Sequence, residues 1–158
     1  MTGSLARLVV VSGLVLTASL APTVAAAQVP PGMTGGWAGS AKIVDPWSEV
    51  PAIEATLYVA PDGRVTGSLG GAVLRDARLE RNRGMFGRIF RRGTDWIVIG
   101  ALDGALVPSE GVRAARVTMP LDWVRDHFEG AFVAIGPDAA GGRRVVLTAK
   151  QLRLRRLR

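Results

Sequence analysis

Between residues 53 and 59 apolar and polar side chains alternate without a break. Ile53, Ala55, Leu57 and Val59 fall on one face and Glu54, Thr56 and Tyr58 on the other. A period of two is the signature of a half-buried strand. Pro61-Asp62-Gly63 follows, a turn tripeptide in which glycine is free to take positive φ, and residues 64–69 run back. This pair is the clearest hairpin of the chain. The same reading predicts strands at 37–44, 72–80, 85–90, 95–101, 112–121, 128–135 and 143–154. Residues 121–127 (LDWVRDH) read as a helical turn, and no segment keeps a helical period over three turns.

Eight or nine short strands with frequent turn residues predict an all-β fold, a barrel or a sandwich. An internal repeat favours closure. The frame V-x-G-x-L-x-G-A starts at Val65 and again at Val98, with weaker echoes at Trp37 and Phe128. Gly39, Gly67, Gly100 and Gly130 thus recur about once per hairpin, where a tightly curved sheet needs room for a crossing backbone. The expected fold is a single small antiparallel up-and-down barrel of about eight strands.

Residues 1–27 break the strand pattern. Arg7 precedes an apolar run from Leu8 to Leu20, Pro22 interrupts it, and Ala25-Ala26-Ala27 offers small residues for cleavage. That layout is a secretory signal with processing after Ala27. An uncleaved anchor is the competing reading, since 8–27 is about long enough to cross a bilayer. Domain boundaries follow: a signal peptide over 1–27, a Pro/Gly linker over 28–35 and a barrel domain over 36–158. The expected destination is the periplasm or the medium, with no transmembrane segment in the mature chain.

Composition sharpens this. The chain has no cysteine, which removes disulfides, thiol catalysis and thiolate metal sites. Its net charge of +7 is unevenly spread: all 13 acidic residues lie before Gly142. Arg143, Arg144, Lys150, Arg153, Arg155, Arg156 and Arg158 then follow with no acid among them. Basicity belongs to the last strand and tail, and in an exported protein it points to envelope anions rather than nucleic acid. Arg143, Arg144, Arg153, Arg155 and Arg156 are the candidate anion-binding residues. Another run, Arg75, Arg78, Arg81, Arg83, Arg88, Arg91 and Arg92, surrounds a long hairpin. Both runs also read as outward positions that discourage edge-to-edge association.

Catalytic chemistry finds little footing. His127 is the sole histidine, and Asp126 beside it would point away from it on a strand; it reads as a solvent-exposed loop residue, with a haem axial ligand as a remote alternative. One histidine among scattered carboxylates makes a poor transition-metal site. Ser40, Ser48, Ser68 and Ser109 sit in no nucleophile elbow, and Gly70-Gly71 lacks the basic residue and helix of a phosphate loop. No catalytic residue, metal site or cofactor is assigned. Trp37, Trp96 and Trp123 are the candidate ligand-binding residues, as rings lining a barrel cavity. The competing reading has Trp37 and Trp96 fill the core, leaving Trp47 and Trp123 for a contact surface.

Two stretches carry a resemblance. Gly32-Met33-Thr34-Gly35-Gly36-Trp37 resembles the opening G-x-T-G-x-W of the avidin and streptavidin barrels, and Asp62-Gly63-Arg64-Val65-Thr66-Gly67 resembles their next hairpin. Lipocalin-like barrels share the Gly35-Gly36-Trp37 part, with the tryptophan plugging the barrel floor. The likeness covers roughly the first 40 mature residues and implies a small ligand-binding barrel. It does not imply biotin binding. Where that family holds an Asn and a Ser after the first motif this chain has Gly39 and Ile43, and its Tyr and Ser after the second correspond to Leu69 and Gly71.

The expected function is that of a non-enzymatic exported binding protein, with an apolar small molecule inside the barrel or a partner at its mouth. The alternative is an envelope interaction protein, or an inhibitor of a periplasmic hydrolase, acting through its surface and basic C-terminal segment. Its partners would be envelope anions or another exported protein.

Overall fold

The computed structural model describes residues 28–82, 95–137 and 142–158. The signal segment and the strand expected at 85–90 lie outside the described residues, as do Arg83, Arg88, Arg91 and Arg92.

Eight strands close into an antiparallel barrel: β1 (Gly35–Ile43), β2 (Ala52–Val59), β3 (Arg64–Leu69), β4 (Ala72–Arg81), β5 (Trp96–Asp103), β8 (Arg116–Val124), β9 (His127–Pro137) and β10 (Arg143–Arg156). Each pairs with its predecessor in this series, and β10 returns to β1, with Trp37 opposite Arg156 and Gly39 opposite Leu154. Between β5 and β8 the chain makes a small excursion, a two-stranded ribbon of β6 (Ala105–Val107) and β7 (Val112–Arg113). The architecture is the all-β, eight-stranded barrel that the alternation predicts.

Strand β2 shows why the pattern was readable, since its inward residues Ile53, Ala55, Leu57 and Val59 are all buried and the residues between them exposed. Two elements differ from expectation. Residues 121–127 form no helical turn: β8 continues to Val124, and β9 starts at His127. The reversal is a tight hairpin with Arg125 at φ 57° and the Asp126 N–H donating to the Val124 carbonyl at 2.7 Å. Arg125 and Asp126 make the turn, Asp122 and Glu129 face each other across the two strands, and Trp123 pairs with Phe128, a period-two ladder in place of a helical one. The strand expected over 112–121 is split, because Val112 and Arg113 pair with β6 before β8 begins.

The four recurrent glycines mark where neighbouring strands press closest. A Cβ on Gly39 would run into the Arg153 carbonyl, and one on Gly130 into that of Pro120. Gly67 adds φ +145°, and a Cβ there would meet the Thr56 carbonyl. Tight coiling of a closed sheet needs such positions.

An eight-stranded barrel is just wide enough for side chains to fill. Phe132, Leu57, Leu69, Met119, Leu147, Leu152 and Leu154 are fully buried along its length. One end is floored by Trp37, Trp123 and Phe128, which meet edge-to-face with centroids 5.4, 5.0 and 4.9 Å apart. The segment read as a linker packs beneath this floor. Val29 and Met33 are buried, Pro31–Met33 forms a 3-10 turn, and the Trp37 indole N–H donates to the Met33 carbonyl at 3.0 Å. At the opposite end β6 folds inward: Leu106 is buried, and its carbonyl accepts the Gly71 N–H at 3.3 Å.

Candidate functional site

Two surface features combine shape with chemistry. The first lies on the outer wall where β8, β9, β10 and β1 run side by side. Register sets Asp122, Glu129, Arg153 and Ser40 in one row across the four strands. In β10 the ladder shifts at Lys150–Gln151, with Gln151 at φ 57°, and Gly39 and Gly130 flank the shift. The resulting trough has a volume of about 710 Å³ and is lined by Asp122, Glu129, Arg153, Arg155, Gln151 and Ser40.

Charge in the trough is organised by His127. Its Nε2 stands 2.9 Å from Glu129 Oε1 and its Nδ1 3.1 Å from Asp126 Oδ1, while Arg153 donates to the same Glu129 oxygen at 2.7 Å. The ring is 20% exposed. His127 is therefore an ion-paired residue at the start of a strand and not the free loop histidine expected. The tight turn, rather than an extended strand, lets neighbouring Asp126 reach it. Both ring nitrogens face groups that only accept, so the arrangement selects the imidazolium. The Glu129 hydrogen bond, then that of Asp126, raises the His127 pKa above its ordinary 6.5. The same contacts, His127 first, hold Glu129 and Asp126 below their ordinary 4.5 and 3.8. Asp122 goes the other way: partial burial raises its pKa foremost, with the negative charges of Asp95 and Glu129 adding to it.

These directions set a pH window. The His127 contribution is present below 6.5 and fades as pH rises through its higher folded value. Those of Asp126 and Glu129 are present above their ordinary values and vanish as pH falls through the lower folded ones. The clasp is complete between about 4.5 and 6.5. As the sole histidine, His127 gives one imidazole titration by NMR, expected above 6.5 in the folded chain and lowered by Glu129→Gln. An unmoved midpoint in that variant would show that Glu129 does not govern it.

The second feature is the end of the barrel opposite Trp37. The β1–β2 loop carries Trp47 at 50% exposure, beside exposed Val44. Val145, exposed near the start of β10, joins Val146, Pro137, Arg113, Arg144 and Trp47 around a groove of about 590 Å³. The loop is held on both sides. Glu110, in the 3-10 turn Pro108–Glu110, accepts from Ser48 Oγ at 2.9 Å, from the Glu49 N–H at 2.7 Å and from the Val50 N–H at 3.1 Å. Across the loop, the Asp45 carboxylate accepts the Thr148 N–H, and the Val44 N–H donates to the Thr148 carbonyl at 3.1 Å. Glu110→Ala removes three contacts to the loop, leaving Ser48 Oγ and the Val50 N–H only their 3.2 Å bonds within the loop and the Glu49 N–H to solvent, and is expected to cost about 1 kcal/mol. Denaturant midpoints check that, and faster depolarisation of Trp47 fluorescence checks the loosened loop.

The residues singled out from sequence fall in different places. Trp37 and Trp123 are brought together at the floor, Trp37 fully buried. Trp96 is 3% exposed and lies beneath Arg81, whose guanidinium sits 4.5 Å from its ring. The five arginines of β10 do not converge. Arg143 and Arg144 stand at the Trp47 end, whereas Arg153 pairs with Glu129 and Arg156 covers Trp37 at 4.7 Å while donating to the Gly32 carbonyl at 2.7 Å. Arg144 and Arg153 are separated by about 30 Å along the strand, at roughly 3.3 Å per residue. Arg113 and Glu110 were not singled out. Only the fold brings Glu110 to Ser48, 62 residues away in sequence. Comparison with protein families, with curated proteins and with solved structures finds no match to the chain.

Proposed function

We propose that this chain is exported and works as a non-enzymatic binding protein through the outer surface of its barrel, at the mouth that carries Trp47. One observation carries the reading. Bulky side chains fill the barrel between a Trp37–Trp123–Phe128 floor and an inturned Leu106, while Trp47 is held half exposed on a loop tied by Glu110 and Asp45. Exposed tryptophan and arginine on a stiff support are the residues that carry binding energy at interfaces. The likeness to avidin- and lipocalin-like barrels enters as a reading of architecture, supported by Trp37 at the floor. An inhibitor of a periplasmic hydrolase would use the same mouth.

The test places a photoreactive amino acid at position 47 or, as a control, at Tyr58, which is exposed on the β2 wall. Chains are expressed at full length in a secreting host. The expected result is a processed protein whose intact mass starts at Gln28 and an envelope adduct formed from position 47 and not from 58. Saturable one-to-one uptake of an apolar naphthalene dye that quenches Trp37, with no adduct from position 47, would instead point to an interior ligand.

A further inference from the structure

The segment that precedes β1 is tied to the barrel almost to its first described residue. Met33 is buried and its carbonyl accepts the Trp37 indole N–H, while Arg156 reaches from β10 to the Gly32 carbonyl at 2.7 Å. Val29 is buried as well. Its N–H donates to the Pro61 carbonyl at 3.4 Å, and its side chain lies against Gly63. The first residues of a domain are poorly ordered unless they are tied down, and here the tie reaches Val29. Gln28, one residue earlier, is exposed on an open recess of about 680 Å³ that it shares with Pro61 and Asp62. Among the described residues no hydrogen bond or ion pair engages Gln28. The Asp62 carboxylate in that recess is held by Arg64 at 2.6 Å.

Resting on the reading that the chain is exported and cut after Ala27, we infer that Gln28 is a modification site, where the new α-amine closes on its own side chain to give an N-terminal pyroglutamate. The amine nitrogen bonds to the Gln28 Cδ and the bond from Cδ to the side-chain nitrogen breaks. That nitrogen leaves as ammonia, carrying a proton given up by the amine, so no oxidant or co-reactant is consumed. Three features of the chain end favour closure. An α-amine titrates near about 7.7–8.0, so its nucleophilic form is populated at neutral pH, and Asp62 is already paired with Arg64. Ring closure turns only the torsions of Gln28 itself, which leaves the docked Val29 in place. The ring also forms at an exposed position, with the open recess beside it. The lactam removes the charge of the terminus and the free amine that an exopeptidase must bind. It does so one residue before the segment that seals the Trp37 floor.

The test expresses the full-length chain in a secreting host and takes the freshly harvested mature protein for intact mass and fragmentation of its N-terminal peptide. The expected product begins at Gln28 and is lighter by one ammonia than the unmodified chain, with the deficit at the first residue. Gln28→Asn keeps a side-chain amide but is one carbon too short to close the ring. It is expected to keep its full mass and to lose residue 28 to an aminopeptidase that leaves the wild-type end untouched. Because the position is exposed, a pyroglutamyl peptidase is expected to remove the lactam from the folded protein. A mature chain that begins at Gln28 and keeps its ammonia overturns the inference and leaves the export reading in place. The same deficit in Gln28→Asn, equal trimming of both proteins by the aminopeptidase, or a lactam removable only after unfolding also overturns it. A product that begins at any other residue removes the cleavage reading and the inference together.

Discussion

Replacing Trp37 by alanine is expected to destabilise the barrel by about 3–5 kcal/mol, the range for a buried aromatic reduced to a methyl group. That is a large part of the roughly 5–15 kcal/mol that holds a domain together. The reason is the number of interactions that end on this ring. It is fully buried, packs edge-to-face on Trp123 and Phe128, donates to the Met33 carbonyl and lies under the Arg156 guanidinium. Removing it opens the floor and frees the docked segment around Met33. Trp37→Phe keeps an aromatic ring but loses the N–H, which costs about 1–3 kcal/mol through an unpaired carbonyl and lost area. Equilibrium unfolding in denaturant measures both. A loss below about 1 kcal/mol in Trp37→Ala would mean that the floor is not a structural plug, and a ligand role for this ring would regain ground.

Gly67→Ala is the second substitution with a large expected effect, although it adds only a methyl group. The backbone at Gly67 has φ +145°, a region that side chains rarely adopt, at a cost of about 1–3 kcal/mol. The new Cβ would also meet the Thr56 carbonyl of β2, which cannot yield without breaking the β2–β3 ladder. The sum is expected to exceed about 3 kcal/mol. Gly111→Ala separates the two causes. Gly111 has φ +65° with nothing within 4 Å of a Cβ, so only conformational strain applies there. About 1 kcal/mol is expected at that site. Similar losses at both glycines would show that close packing of β2 on β3 is not what requires Gly67.

Gly39→Ala extends the comparison to the closing seam. Its Cβ would strike the Arg153 carbonyl, where β1 meets β10. This seam joins the first and last strands of the barrel, so among its strand pairings it closes the longest stretch of chain. A substitution there is expected to slow refolding as well as lower stability, which stopped-flow fluorescence would resolve.

The sequence alone settled the strand faces and most of the strand positions. Alternation such as that of Ile53 to Val59 has only one side to bury, and a one-residue slip would expose all of it. It also marked Gly39, Gly67, Gly100 and Gly130 as geometric positions, because a glycine repeated once per hairpin has no side-chain role to serve. The tertiary structure decided what local pattern cannot encode. The run from Asp122 to His127 mixes strand ends with the two turn residues Arg125 and Asp126, and only cross-strand pairing with β9 identifies it as a hairpin reversal. The arginines of β10 are neighbours in sequence, but a strand spaces residues by about 3.3 Å each, so closure carried them to opposite ends of the barrel. Glu129, already beside His127, gained Arg153 from β10, and the Trp47 loop gained its anchor from Glu110, because a closed sheet brings together residues that are far apart along the chain. The candidate site is made of such long-range meetings, which is why its pieces were visible in the sequence and its assembly was not.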